Sequence, residues 1–306
     1  MKMKRIILLG LFLFIGITLS AQNKNAKPYA FQAGEKALNE ALSRRKEIGT
    51  ASLIKGLSGV YSIRYNIDNN QKVSIIIPTK NQAKILRQCL FSIFTKSTYS
   101  NFEIIIINNG STEKDFFELI SEYETKYKSR INCIDLNIPF NFSKIVNYGA
   151  SHSTGDYLLL LNNDIEVITP DWIEAMMEQA QRQSIGAVGV KLCYPNDTIQ
   201  HAGVVIGFGG AAGHTFVGEQ KDADCYFYYT KSIRNYSSVT AACIMVRNEV
   251  FNLVNGFDNK LSVEYNDVDF CLKLKEKGFN NIYLPHVSLY HYESLSRKHP
   301  YLTRCT

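Results

Sequence analysis

The chain has 306 residues, 45% of them hydrophobic, and a formal net charge of +6. That length holds one large domain or two small ones with a sizeable core, and no basic cluster is dense enough for a nucleic-acid face; the modest charge fits a nucleotide ligand or an anionic lipid surface, but reads first as ordinary solvated lysines. The seven cysteines are scattered with no Cys-x-x-Cys pair, so a zinc ribbon is not expected and they read as small buried hydrophobes of a reducing compartment.

At the N-terminus, Lys2, Lys4 and Arg5 precede an apolar run over Ile6–Leu19, followed by Ser20-Ala21-Gln22. A basic n-region, an apolar h-region and small residues at a cleavage point make residues 1–22 a signal-like segment. The run is shorter than the ~20 residues of a comfortable membrane span, so a short membrane anchor is the second reading and a misassigned start the third. Residues 23–35 read as a polar linker. Ala37, Leu38, Ala41 and Leu42 stand at helical spacing and predict a short amphipathic helix over Glu35–Lys46. Tyr61, Ile63, Tyr65 and Ile67 alternate in the manner of a strand over Val60–Ile67.

From Val73 onward, buried strands alternate with amphipathic helices. Val73–Ile77 is an apolar strand ended by Pro78-Thr79, and Lys84–Thr95 is a helix. Phe102–Ile107 is a strand ended by Asn108-Asn109-Gly110-Ser111, and Asp115–Tyr127 is a helix. Ile131–Leu136 is a strand, Phe142–Ser151 a helix, and Tyr157–Leu161 a strand running into Asn162-Asn163-Asp164. A helix over Asp171–Gln183 starts just after Pro170. This alternation predicts an α/β fold, a mostly parallel twisted sheet with helices on both faces. After a strand at Ala187–Leu192, the glycines of Gly203–Gly213 lack a strand–turn–helix setting and predict a flexible loop near a site. Ser238–Arg247 reads as a strand, Asp267–Lys277 as a helix capped by Gly278, and Asn281–Leu284 as a last short strand.

Three strand ends therefore carry polar groups: Pro78-Thr79-Lys80-Asn81, Asn108-Asn109-Gly110-Ser111 and Asn162-Asn163-Asp164. In a parallel sheet the carboxyl ends share one edge, where ligands collect, although Asn, Gly and Ser are also ordinary turn residues. The carboxylate of Asp164 between amides and strand is a hard-oxygen site suited to Mg²⁺ or Mn²⁺ carrying a phosphate. In Glu264–Asp269, Asp267 and Asp269 open a helix, where a carboxylate suits the dipole or serves as a general base. His291 follows the last strand, and Arg297 can pair with a phosphate.

In this order, Val73–Thr79, Glu103–Ser111, Gly155–Asp164, Gly256-Phe257-Asp258 and Asn266–Leu274 resemble the family 2 glycosyltransferases of GT-A fold. The resemblance covers residues 73–297, and residues 30–72 resemble the lead-in of some bacterial members. It implies a single GT-A domain over 73–300, with a nucleotide-binding N-terminal half and an acceptor-binding C-terminal half. Residues 301–306 are then a tail, cut short of where members often continue. Asp164 matches the last Asp of the family's Asp-x-Asp metal motif, with Asn162 in place of the first, and His291 matches a histidine that completes the metal site in some members. Pro78 and Thr79 match the start of the nucleotide pocket, and Asn108 replaces an Asp that contacts base or ribose. Arg297 resembles a diphosphate contact. Asn81, Gly110, Ser111, Asn162 and Asn163 complete the expected nucleotide-sugar shell. Asp267 matches the catalytic Asp of a Glu-Asp motif in which Asn266 replaces Glu.

The implied reaction is inverting, with Asp267 as base and Mg²⁺ or Mn²⁺ as cofactor. The partners implied are a nucleotide-diphosphate sugar donor and a glycan or lipid-linked glycan acceptor, as in bacterial surface polysaccharide synthesis. A cytosolic donor and unpaired cysteines favour the cytoplasmic face of a membrane, while the signal-like segment leaves export open. Two other readings share the fold. A sugar nucleotidyltransferase usually carries a glycine-rich loop after its first strand, and Thr79-Lys80-Asn81-Gln82 has none. A non-catalytic sugar-nucleotide-binding relative would fit Asn108 and Asn162 but has no use for Asp164, Asp267 and His291.

Overall fold

The structure, a computed structural model, describes residues 28–68 and 70–293, so the signal-like segment and Arg297 lie outside it. The chain divides into two compact units at Asn66/Ile67. In the first, helix α1 (Pro28–Arg44) precedes an antiparallel pair, β1 (Gly49–Leu53) and β2 (Tyr61–Tyr65). The helix begins inside the stretch read as linker, since Pro suits the first helical turn. The strand β1 had no sequence signal of its own. Asn39 holds helix to strand: its Nδ2 donates to Ala51 O at 2.8 Å and its Oδ1 accepts from Ala51 N–H at 3.0 Å. Leu42, Ala51 and Tyr65 form the unit's small core.

In the second unit, β3 (Val73–Thr79), α2 (Ala83–Lys96), β4 (Phe102–Asn108), α3 (Lys114–Tyr127) and β5 (Ile131–Asp135) are followed by α4 (Phe142–Ser151) and β6 (Tyr157–Leu161). Next come β7 (Ile165–Val167), α5 (Trp172–Ala180), β8 (Ile185–Cys193), β9 (Ile199–His201), β10 (Val204–Ile206), β11 (Ala212–His214) and β12 (Arg234–Tyr236). The chain then forms β13 (Cys243–Arg247), α6 (Asn248–Leu253), α7 (Asn266–Glu276) and β14 (Asn280–His291). The main sheet has the order β12-β14-β8-β13-β6-β3-β4-β5. Its β6-β3-β4-β5 half is parallel. Strand β13 runs antiparallel to both neighbours, which makes the whole sheet mixed.

The apolar runs are continuous because both faces of the sheet are covered. Ile75, Ile77, Ile104, Ile106, Leu159 and Leu161 point to one side, against Leu86, Leu90, Phe116 and Trp172 of α2, α3 and α5. Ile76, Ile105, Ile107, Leu158 and Leu160 point to the other, against Ile145, Val146, Phe251 and Phe270 of α4, α6 and α7. Strand periodicity alone produces this split.

Several boundaries differ from the expected ones for physical reasons. Helix α5 stops at Ala180 because the guanidinium of Arg247 takes the carbonyls of Ala180, Arg182 and Gln183, satisfying helix-end acceptors that more helix would otherwise have used. The glycine-rich segment is a two-stranded hairpin, β10 with β11, rather than a plain loop. Its glycines supply the turn, Gly207 at φ 84° and Gly209 at φ 67°. Strand β14 runs on to His291 instead of ending at Leu284, because a register shift between Leu284 and Ser288 absorbs Pro285 and lets pairing with β8 resume.

Candidate functional site

The three polar strand ends fall on one edge. Thr79 stands in register with Asn108, and Asn108 with Asp135. From the end of β6, Asn163 Nδ2 donates to Thr79 Oγ1 at 2.9 Å. This is the edge where open α/β sheets hold ligands.

The first two ends are cross-tied. Asn81 and Gln82 take left-handed φ values of 54° and 58°, and such outliers persist where surroundings over-determine them. The Asn81 N–H donates to Ser111 Oγ at 2.7 Å, and Asn81 Oδ1 accepts from the N–H groups of Thr112 at 2.7 Å and Glu113 at 3.1 Å. Asn108 is engaged at both ends: Nδ2 donates to Asp135 Oδ1 at 2.7 Å and Oδ1 accepts from Ser111 N–H at 2.8 Å. Gly110 has φ 76°, and a Cβ there would come 2.6 Å from Asn137 Oδ1. The side chains of Asn81, Asn108 and Ser111 thus shape their loops. Pro78 is half-buried and leads into that edge. Asp135, an exposed carboxylate on the same edge, carries no signal in the sequence, where it stands at the end of an apolar strand.

The third end is a tight turn facing β14. Asn162 N–H donates to Ala242 O at 3.0 Å, and Tyr292 N–H donates to Asp164 O at 3.0 Å. These bonds bring Asp164 Oδ1 to 3.1 Å from His291 Nε2. Asn162 Nδ2 lies 3.3 Å from the same Nε2, and His291 Nδ1 lies 2.7 Å from Gln200 Oε1. Asp164 Oδ1 is buried, and the ring nitrogen His291 Nε2 is its neighbour among the described residues. Ligands about 2.1 Å from an octahedral divalent cation, on neighbouring corners, stand about 3 Å apart. Asp164 Oδ1 and His291 Nε2 have that spacing, and a hard oxygen with an imidazole suits Mn²⁺ or Mg²⁺. Among the described residues no group of three His, Cys, Asp or Glu side chains is placed to hold a metal. The pair therefore fits a cation that completes its shell with phosphate and water, as Mg²⁺ usually does.

Asp267 lies in the first turn of α7, after Tyr265 at φ 59°. Its Oδ2 accepts from Ala241 N–H at 3.1 Å and its Oδ1 from Val268 N–H at 2.8 Å. The segment 240–242 therefore joins two centres, since Ala241 holds Asp267 while Ala242 O holds Asn162. It was missed because Ser238–Arg247 reads as one apolar strand, whereas strand begins only at Cys243. The loop entering α7 is fastened to α4. Asn147 Oδ1 accepts from Phe257 N–H at 2.9 Å, Asn147 Nδ2 donates to Phe257 O at 2.8 Å, and Phe142 N–H donates to Ser262 O at 2.8 Å.

The model of a family described as glycosyl transferase family 2 matches residues 74–246. The chain is 40% identical over 281 residues to the protein y4gI of Sinorhizobium fredii, covering 92% of this chain and 31% of that one. It is 37% identical over 284 residues to the O-antigen biosynthesis protein RfbC of Myxococcus xanthus, covering 92% of this chain and 22% of that one. The chain thus spans a third or less of the length of these relatives. Among solved structures it is similar to GalNAc-T7 with UDP, GalNAc and Mn²⁺, at a TM-score of 0.63 and 12% identity, covering 75% of this chain and 45% of that one. It is also similar to the mannosyltransferase PcManGT of Pyrobaculum calidifontis in complex with GDP-Man and Mn²⁺, at a TM-score of 0.56 and 14% identity, covering 89% of this chain and 68% of that one.

Proposed function

The chain belongs to glycosyl transferase family 2, and from that membership we propose that it moves a sugar from a nucleoside-diphosphate donor to a hydroxyl of a glycan or lipid-linked glycan, inverting the anomeric centre in a divalent-metal-dependent reaction. It is a glycosyltransferase of GT-A fold. The observation that carries the finer reading is the joining of Asp267 and the Asn162–Asp164 turn through residues 240–242, which ties a fixed carboxylate and a cation-fitting pair to one short segment.

In this reading Asp164 and His291 hold Mg²⁺ or Mn²⁺. When bound, such a cation stabilises the charge that develops on a departing diphosphate. Asp267 takes the proton from the acceptor hydroxyl at a carboxylate oxygen, and its two backbone donors fix the direction of that oxygen. The acceptor oxygen then displaces the nucleoside diphosphate in line, without a covalent enzyme intermediate. The strand-end loops of Pro78, Thr79, Asn81, Asn108, Gly110, Ser111 and Asn163 form the proposed nucleotide side, with Asp135 added to the residues expected there. Arg297, outside the described residues, remains the proposed diphosphate contact. We assign the transferase domain to residues 73–300, with its acceptor half after β8. Similarity to the O-antigen biosynthesis protein RfbC supports surface polysaccharide as the product, and a cytosolic sugar-nucleotide donor favours the cytoplasmic face of a membrane as the place of action. Among the described residues no helix is long and apolar enough to cross a membrane.

Calorimetry of Asp164→Ala with UDP and with GDP tests the cation reading. The variant is expected to lose the part of nucleotide affinity that Mn²⁺ adds to the wild type. An unchanged Mn²⁺-dependent affinity would refute it.

A further inference from the structure

We propose that Gln200 is a positioning residue for His291: it fixes the imidazole tautomer that leaves Nε2 bare toward Asp164. The inference rests on the reading of Asp164 and His291 as the protein ligands of the cation.

Gln200 has no obvious place among site residues in the sequence, where it lies between Ile199 and His201 of a short strand. The pairing of that strand shows what is unusual about it. Leu192 of β8 faces His201 and the next residue, Cys193, faces Ile199, so Gln200 is the extra residue of a bulge. Bulges re-aim a side chain and are common beside active sites. Gln200 is 5% exposed and His291 7%, so their contact is shielded from water.

The hydrogen-bond chain has only one consistent direction. Gln200 Nε2 donates to Glu293 Oε2 at 2.6 Å, and an ionised carboxylate only accepts. The other end of the amide, Oε1, is then an acceptor, 2.7 Å from His291 Nδ1. Nδ1 therefore carries a proton, and in the neutral ring Nε2 is the nitrogen with the lone pair. Asn162 Nδ2, at 3.3 Å, has a proton to donate to that lone pair, and Asp164 Oδ1 lies 3.1 Å from the same nitrogen. A lone pair and a buried carboxylate oxygen that converge at this distance ask for a shared cation. An acceptor behind the ring that fixes tautomer and orientation is the recurrent support of a metal-bound histidine.

Two variants and two measurements test the assignment. Gln200→Leu removes the acceptor; Gln200→Glu combined with Glu293→Gln restores an acceptor for Nδ1 and a donor between the two side chains. Long-range ¹⁵N–¹H spectra of the metal-free protein report the His291 tautomer, and electron paramagnetic resonance reports Mn²⁺ retained in the presence of UDP or, separately, GDP. The expected results are an Nδ1–H tautomer in the wild type, mixed tautomers with 10–100-fold weaker Mn²⁺ retention in Gln200→Leu, and recovery of both in the paired variant. A folded Gln200→Leu that retains Mn²⁺ as the wild type does would overturn the role of Gln200 while leaving the cation site standing. A wild type that retains no Mn²⁺ with either nucleotide would sink the cation reading and this inference together. If Gln200→Leu fails to fold, the wild-type spectrum decides, because an Nε2–H tautomer contradicts the proposal.

Discussion

Asp267 accepts a main-chain N–H at each of its carboxylate oxygens, from Ala241 and from Val268, so Asn removes the base and keeps an acceptor for only one of the two. A general base contributes about 10²–10⁴-fold to rate; Asp267→Asn is expected to lose at least the lower figure in transfer while still binding the sugar nucleotide, which a paired transfer assay and calorimetric titration would check. The cysteines make a different residue-scale point. Burial, followed by the nearby Asp164 carboxylate, pushes the Cys89 thiol far up. Burial also raises Cys243 strongly and, with the Asp267 carboxylate adding to it, pushes Cys271 up to about 12. The thiolate is the reactive form, so iodoacetamide near neutral pH is expected to leave Cys89, Cys243 and Cys271 unlabelled in the native protein and to label them in urea. Labelling of any of the three under native conditions would contradict their reading as core hydrophobes. That reading was available from their apolar neighbours. The roles of Gln200 and Asp135 were not, because each depends on a partner far away in sequence.

At the scale of elements, helix α4 does two jobs. It covers one face of the sheet and, through Asn147, fastens the loop that leads to Asp267. Gly149 allows its close approach, since a Cβ there would stand 2.5 Å from Ile76 Cγ2 and 3.2 Å from Ile107 Cγ1. Gly149→Ala is therefore expected to destabilise by about 1–3 kcal/mol through overpacking, whereas Leu160→Ala, in the same core layer, should cost about 2–5 kcal/mol through a cavity. Urea unfolding of both variants measures this, and a Gly149→Ala as stable as the wild type would show that α4 has room to move. At the opposite ends of the strands, Glu103 ties β3, β4 and the turn before β6. Lys72 Nζ and Ser74 Oγ each donate to it at 2.6 Å, and Thr154 N–H at 2.9 Å. Burial alone would raise this carboxyl, but those bonds outweigh it and hold it below the ordinary carboxylate range. A group lowered by folding stabilises fully above its unfolded pKa, about 4.3 for Glu, and the contribution disappears as pH falls through the lowered native value. Glu103→Gln should thus cost about 1–3 kcal/mol near neutral pH, and the gap to wild type should narrow below pH ~4. A gap that stays constant with pH would contradict the account.

At the scale of the whole molecule, the first half of the main unit was legible and much of the second was not. Ile75–Ile77, Ile104–Ile107 and Leu158–Leu161 are apolar at every position because helices cover both faces, and a strand of that kind announces itself along with the polar residues where it ends. After β8 the local signal weakens. The local pattern gives a last short strand at Asn281–Leu284, yet β14 continues past Pro285 through a register shift and delivers His291 to Asp164. The glycines of 203–213 looked like a loop and form the β10–β11 hairpin. Residues 240–242 looked like strand and instead bridge Asp267 to the Asn162–Asp164 turn. In each case a long-range partner overrides the local pattern, and it is these partners that bring the parts of the site together. The most direct test of the account is therefore a transfer assay on the whole chain, offered a panel of UDP- and GDP-linked sugars and a glycan or lipid-linked acceptor, with Mn²⁺ and with EDTA. The account predicts Mn²⁺-dependent release of nucleoside diphosphate with an inverted product by the wild type, none above background in EDTA, and loss of turnover in Asp267→Asn despite retained donor binding. Turnover indifferent to EDTA, or undiminished in Asp267→Asn, would contradict it.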